Sequence, residues 1–311
     1  NRKRYYSKME QDLINVLSIG TVRRFGDDLK LLETYIEKEF RADAAEALKE
    51  LYYRIPKDAL HNSSKAALSR IGLLKNYPEA EYWIGEVYRM EGEFVIALSQ
   101  YRKALNHQTL LENPLSGTDI LYKIADLQRI RREYPEMTKT LDEILKADKF
   151  WSRESFNRSN MLRSLETNGI NRFLVLFRHN EPAMEKAHRV MGLYYYDNGR
   201  HDRAVDHLLF AYLIQNTVVI NALLQNQYNY TFTDLSVLQN DIGKRQDILT
   251  YLDETEYFKT MYYLANSLYG IGRRSLAREI WIFLGDHGSR EWRSRAWAQL
   301  NNPQLDQIPG R

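Results

Sequence analysis

The side chains in this sequence best suited to recognition are tyrosines, acids and arginines recurring at fixed steps. Tyr82, Glu86 and Arg89 stand at i, i+4 and i+7, and Tyr122, Asp126 and Arg129 repeat that spacing. Arg189, Leu193 and Tyr196 keep it with other side chains, as do Tyr262, Asn266 and Tyr269. On a helix these three positions share a face. Three of the triplets therefore set a ring, a polar group and a further donor or ring in one row, and the Arg189 triplet sets a guanidinium, an apolar residue and a ring. Tyr and Arg are the residue types most enriched where proteins grip one another. The chemistry on offer is non-covalent: ring burial, hydrogen bonding and charge pairing. An equal competitor is that Tyr82, Tyr122 and Tyr262 pack between neighbouring helices with only their hydroxyls in water.

Signatures of covalent chemistry are missing. The chain has no cysteine, which removes disulfides, thiolate metal sites and cysteine nucleophiles together. Gly243-Lys244-Arg245 lacks the upstream glycine and the Ser or Thr of a phosphate loop, and Tyr269-Gly270-Ile271-Gly272 follows a helical pattern where a dinucleotide fingerprint needs a strand. His201 and His207 are six residues apart, as are Asp241, Asp247 and Asp253, a step that gathers nothing on one helix face. We expect no catalytic residues, no metal and no cofactor, hence no enzyme.

Lys and Arg number 44 against 41 Asp and Glu, so the net charge of +3 is too small for a polybasic nucleic-acid coat. Arg2-Lys3-Arg4 is too short to line a nucleic-acid groove. It reads as a solvated leader, or as a basic patch at a bilayer if a lipid anchor precedes Asn1. No run approaches the length of apolar residues that a membrane helix needs, so no transmembrane segment is expected. An unpaired thiol is a liability in an oxidising compartment. The absence of cysteine, with a start at Asn1 and no signal-like stretch, leads us to expect a mature extracytoplasmic, periplasmic protein; a cytoplasmic one is the alternative.

The recognition rows need rigid helices to hold them, and the sequence supplies a repeat. Gly85, Tyr88, Gly92, Ala97, Tyr101 and Ala104 define a set of offsets. Gly192, Tyr195, Gly199, Ala204, Leu208 and Ala211 follow the same offsets, as do Ala265, Leu268, Gly272, Ala277, Trp281 and Leu284. A mid-helix glycine costs about 1 kcal/mol relative to alanine, a cost accepted where another helix must approach closely. The second glycine lies where the first helix ends and supplies a left-handed cap. The later residues continue an apolar stripe at helical spacing. Each unit is an antiparallel helical hairpin that must stack on neighbours to bury its apolar face.

This pattern resembles the tetratricopeptide repeat, a helix–turn–helix unit of roughly 34 residues. Clear repeats cover about 78–108, 185–216 and 258–288. Weaker ones cover 25–58 (Leu32, Tyr35, Ala44, Leu48, Leu51, Pro56, with Glu39 for the turn glycine) and 118–149 (Ala125, Met137, Leu141, Ile144, with Arg132 at the turn). Divergent inserts fill 150–180 and 216–256. In the first, Asn168-Gly169 is a turn signal before Phe173 and Phe177; in the second, Asp234 can cap a helix, Gly243 can end it, and Ile248 and Leu252 repeat the spacing. Ser7 with Glu10 makes a capping box for a first helix. Residues 290–300 predict a closing helix carrying Trp292, Ala296 and Leu300, and 301–311 a tail. The expected fold is all-α: one right-handed solenoid of stacked hairpins over 1–300.

The resemblance implies a scaffold or adaptor binding a partner protein or peptide on its concave face through the Tyr-led rows, similar to bacterial extracytoplasmic repeat lipoproteins. Family members that clamp a terminal carboxylate carry Lys and Asn at these positions; here that pattern is absent, which argues against a chaperone-tail clamp. The alternative is a binder of a small apolar ligand or lipid, paired with a solute transporter. Its pocket would be lined by the run Phe173–Phe177, where an insert folds against the groove.

Overall fold

The computed structural model describes residues 78–111, 116–152, 155–226, 229–232 and 234–308. Among these residues the fold is all-α, without strands. The candidate repeat at 25–58, the Ser7–Glu10 box and the Arg2–Arg4 cluster lie outside them. The chain divides into two compact units between Thr140 and Leu141.

In the first unit α1 (Pro78–Met90) pairs with α2 (Phe94–Asn106), α2 packs on α3 (Ser116–Ile130), and α4 (Tyr134–Leu145) begins. The second unit holds α5 (Lys149–Ser152), α6 (Ser155–Leu176), α7 (Glu185–Asp197) and α8 (His201–Asn226), then α9 (Leu235–Ile242) and α10 (Gln246–Glu254). It closes with α11 (Tyr257–Gly270), α12 (Arg274–His287) and α13 (Arg290–Asn301). Contacts run in chain order along the repeats: α7 on α8, α8 on α11, α11 on α12, α12 on α13. The first helices also touch one another, α7 on α11 and α11 on α13, so they form one continuous face.

The hairpins are built as the spacing requires. Ala97, Ala204 and Ala277 are fully buried, and so are Tyr101, Leu208 and Trp281 four residues on. The mid-helix glycines receive those large side chains. A Cβ on Gly85 would lie 2.7 Å from the Tyr101 ring, and one on Gly192 would lie 2.6 Å from Leu208 Cγ. The turns are four copies of one object. Gly92, Gly199 and Gly272 have φ of 83°, 68° and 82°, and Arg132 takes the same place at φ 61°. In each, the amide just past the left-handed residue bonds back to a carbonyl in the last turn of the helix, as Glu93 N to Tyr88 O at 2.9 Å and Glu133 N to Gln128 O at 2.8 Å. These are Schellman caps. Arg132 shows that this bonding holds a left-handed residue even without glycine, against a cost of about 1–2 kcal/mol.

The inserts are helical too. Gly169 breaks α6 at φ 70°, where Asn168-Gly169 predicts a turn. Asp234 caps α9 by accepting from the amides of Ser236 and Val237, and Ile248 and Leu252 of α10 are buried. Helix α6 lies against the second helices α8 and α12. The run Phe173–Phe177 is split: Phe173 and Leu174 are buried, whereas Val175 and Leu176 are half exposed. Helix α8 contains the one described stretch long and apolar enough to cross a bilayer, His201–Gln225, yet 78% of its most apolar window is buried within the protein. Its apolar length serves the core: Leu208, Tyr212, Leu213 and Ile214 have almost no exposure. The closing helix α13 buries Ala296 and lays Trp292 and Leu300 against the core.

Candidate functional site

The four rows, three led by Tyr and one by Arg189, meet different fates. In the first unit Tyr82 is half-buried, its ring 4.7 Å from Trp83 and 5.6 Å from Tyr101. Glu86 is fully buried. Tyr101 Oη donates to it from α2, Arg89 Nη2 donates at 2.8 Å, and Lys123 of α3 pairs with it at 3.1 Å. Burial pushes the Glu86 carboxyl up, but the hydrogen bonds from Arg89 and Tyr101 and the Lys123 charge together hold it below its ordinary value. Glu86 is thus committed to tying α1 to α2 and α3. Tyr122 and Asp126 are half-buried and Arg129 is exposed.

In the second unit Arg189 is turned inward. Its Nε donates to Glu185 at 2.9 Å and it pairs with Glu256 at the start of α11. Leu193, one turn on, lies in the core. Tyr269 is half-buried, 5.6 Å from the Trp281 ring. With Arg274, Arg278, Trp281, Leu300 and Pro303 it lines a surface cavity of about 210 Å³.

Tyr196, Tyr262 and Asn266 are brought together. Sequence spacing places them on the first helices α7 and α11, and the structure adds Gln299 and Arg295 of α13. All five aim donors at one stretch of chain, residues 304–308, laid across the first-helix face. Asp306 is its centre. One carboxylate oxygen, Oδ1, accepts from Asn266 Nδ2 at 2.6 Å and Gln299 Nε2 at 3.4 Å. The other, Oδ2, accepts from Tyr262 Oη at 2.9 Å and Arg295 Nη1 at 3.3 Å. Its main-chain carbonyl accepts from Tyr196 Oη at 2.7 Å. Two residues on, Ile308 enters the apolar core with 8% exposure, while Leu305 and Gln307 face outward.

The donors are aimed by their own partners. Trp281 Nε1 donates to Asn266 Oδ1 at 3.0 Å, which turns the amide nitrogen toward Asp306. Gln299 Oε1 accepts from the Gln304 amide at 2.7 Å, which does the same for Gln299. Tyr262 Oη already accepts from Gln299 at 2.9 Å, so its proton is free to go to the carboxylate. Arg295 is steadied by Glu291 at 3.1 Å and by the Trp292 ring, 5.3 Å from its Cζ. Burial pushes the Tyr262 hydroxyl up to about 12 and raises Tyr196 as well, so both remain protonated donors across the physiological range.

Sequence reasoning missed Asp306, Ile308, Gln299 and Arg295. The only local signal was an acid followed two residues later by a branched apolar residue, in a segment bounded by Pro303 and Pro309.

The hairpins and their repeated caps define the class: an all-α array of tetratricopeptide-like helix–turn–helix repeats. No family model matches the chain. It is similar to a protein of Treponema pallidum (strain Nichols) described as uncharacterized, 26% identical over 264 residues, which cover 84% of this chain and 71% of that one. Among solved structures it is similar to the crystal structure of a Podosopora anserina putative kinesin light chain with nearly identical TPR-like repeats. That match covers 90% of this chain and 97% of the other, at 13% identity and a TM-score of 0.34. A point-substituted form of the same protein gives a TM-score of 0.35 at 13% identity, covering 88% of this chain and 97% of that one. At such scores the repeat reading rests on the hairpins themselves.

Proposed function

We propose that the protein is a non-enzymatic scaffold that holds a partner protein or peptide on the first-helix face of its second unit. One observation carries this reading. Side chains from three neighbouring helices, α7, α11 and α13, converge on one crossing stretch of backbone and direct their donors at it. An extended segment in a helical groove is a recurring mode of peptide recognition. The apolar run at Phe173–Phe177 is divided between core and surface, which weakens the small-ligand alternative. For the address, we propose the extracytoplasmic space, supported by the absence of cysteine.

The test uses the full chain immobilised against an extract of the cells that make it, beside Tyr196→Phe and Asn266→Ala. A partner retained by the parent should lose at least about 2 kcal/mol of affinity on the Asn266→Ala form, about thirtyfold, after correction for the unfolded fraction, because loss of the bonds to Trp281 and Asp306 also lowers its melting temperature. Equal retention by all three forms would move the functional surface elsewhere. Osmotic-shock fractionation of the same cells checks the address: release with the periplasmic fraction is expected, and retention in the cytosol overturns it.

A further inference from the structure

We propose that the donor ring of Tyr196, Tyr262, Asn266, Gln299 and Arg295 is a binding site for an extended acidic segment of the form Asp-x-Ile. Residues 304–308 are its occupant in cis, which a partner segment of the same chemistry displaces. The inference rests on the scaffold reading above and adds the ligand class and its regulation.

The selectivity follows from the atoms. Every contact made to the Asp306 carboxylate is a donor: an amide from Asn266, an amide from Gln299, a phenol from Tyr262 and a guanidinium from Arg295. No acceptor in the ring is turned toward the Asp306 side chain. Asn266 is pinned within the ring by Trp281, and Gln299 by the main-chain amide two residues before the acid, which a partner segment supplies in its turn. An asparagine in place of the acid would bring its own NH₂ against donors, so the ring selects an ionised carboxylate over its amide isostere. The Tyr196 hydroxyl reads the main chain at the same residue, which fixes strand direction without regard to side chain. The second anchor is apolar and falls two residues on, on the same side of an extended chain, where Ile308 is buried. Between and before the anchors, Gln307 and Leu305 face solvent, so those positions are free to vary in a partner.

Occupancy in cis makes the site conditional. A segment tethered by a few residues to α13 competes at an effective concentration of about millimolar. A micromolar peptide is therefore excluded until the local segment is released or the partner offers further contacts. The cavity beside Tyr269, Arg274 and Arg278 lies next to Pro303 and Gln299, where a longer acidic partner would find two exposed arginines.

The probe is a fluorescein-labelled peptide with the sequence of residues 301–311, and the same peptide with Asp306→Asn. Both are titrated by fluorescence anisotropy against the parent chain and against the full chain carrying Asp306→Ala with Ile308→Ser. The opened chain should bind the first peptide at least tenfold more tightly than the parent does. It should bind the Asp306→Asn peptide at least tenfold more weakly, and lose binding when Asn266→Ala is added. A folded opened chain that fails to bind the peptide, or binds both peptides equally, overturns the proposal. If the opened chain loses its helical signal, the parent decides the matter by hydrogen exchange at the Gln304 amide, now bonded to Gln299. Millimolar peptide should speed that exchange several-fold, and no change at ten millimolar overturns the proposal. If the peptide fails but Asn266→Ala still abolishes partner retention, the scaffold reading stands and only the cis-occupant falls.

Discussion

The contact between Gly192 and Leu208 offers a sharp test of the hairpin, because two opposed effects of known size meet at one atom. Changing Gly192 to Ala on an open helix would gain about 1 kcal/mol in helix propensity. Here the new methyl would stand 2.6 Å from Leu208 Cγ, 2.8 Å from Cδ2 and 3.1 Å from the Leu208 backbone nitrogen. The side chain could shift, but the backbone of α8 cannot without disturbing its fully buried neighbours Ala204 and Ala211. Overpacking of this kind costs about 1–3 kcal/mol, so Gly192→Ala should be neutral to about 2 kcal/mol destabilising. Leu208→Ala alone should cost about 2–5 kcal/mol through the cavity it leaves. Together, the added methyl occupies part of the space vacated, and the propensity gain returns. The double variant should therefore be more stable than the sum of the singles by about 1–3 kcal/mol. Urea unfolding followed by circular dichroism measures all four forms. A Gly192→Ala that stabilises by about 1 kcal/mol, with additive behaviour in the cycle, would refute the close helix approach.

Three further outcomes are expected. At the turns, Gly92→Ala should cost about 1 kcal/mol from its left-handed φ alone, since nothing lies within 4 Å of the new methyl, and Arg132→Gly should gain up to about 1 kcal/mol; paired chemical melts decide both. Between α1, α2 and α3, Glu86→Gln should destabilise by about 1–2 kcal/mol at neutral pH, toward the low end for a charged hydrogen bond because Arg89 and Lys123 are each about a third exposed; a loss in thermal melts below about 0.5 kcal/mol would detach Glu86 from the role given to it. In the core of the second unit, burial and the nearby His207 and His179 hold His188 well below 6.5. The unfolded chain thus takes up a proton there that the folded chain refuses, and the stability this contributes is full above about pH 6.5 and falls as pH drops, by up to about 1.4 kcal/mol per unit. Melts from pH 7.5 to 5 should show that slope and His188→Gln should flatten it; an unchanged slope sinks the assignment.

The hairpins were legible because their determinants are local. A small residue in mid-helix, a large one four residues past the start of the next helix's buried stripe and a glycine between them are all read from side-chain volume and φ preference. The break at Gly169 and the cap at Asp234 were legible for the same reason. Arg132 was less so: its left-handed turn is imposed by backbone hydrogen bonds that arginine neither favours nor advertises. Glu86 was expected on the binding face and is buried instead, because the sequence has no way to show that Tyr101, Arg89 and Lys123 would enclose it. The docking of Asp306 was invisible. A short polar stretch between two prolines has every local mark of a tail. What holds it is a donor set gathered from three helices, between 7 and 110 residues away along the chain.

The pairing of Gly85 with Tyr101 and of Gly192 with Leu208 also limits how such an array can be rearranged. Each large side chain is cut to the gap its own first helix leaves: a Tyr101 facing Gly192, or a Leu208 facing Gly85, would meet a gap of the wrong shape. Trp281 further spends its indole proton on Asn266 of the same hairpin, a partner that the other hairpins do not carry at that position. Whole hairpins are therefore the units that duplication, deletion or domain grafting can exchange. Chimeras joined between repeats should keep their cores, whereas chimeras joined at the turns within them should trade each fitted pair for a void or a clash.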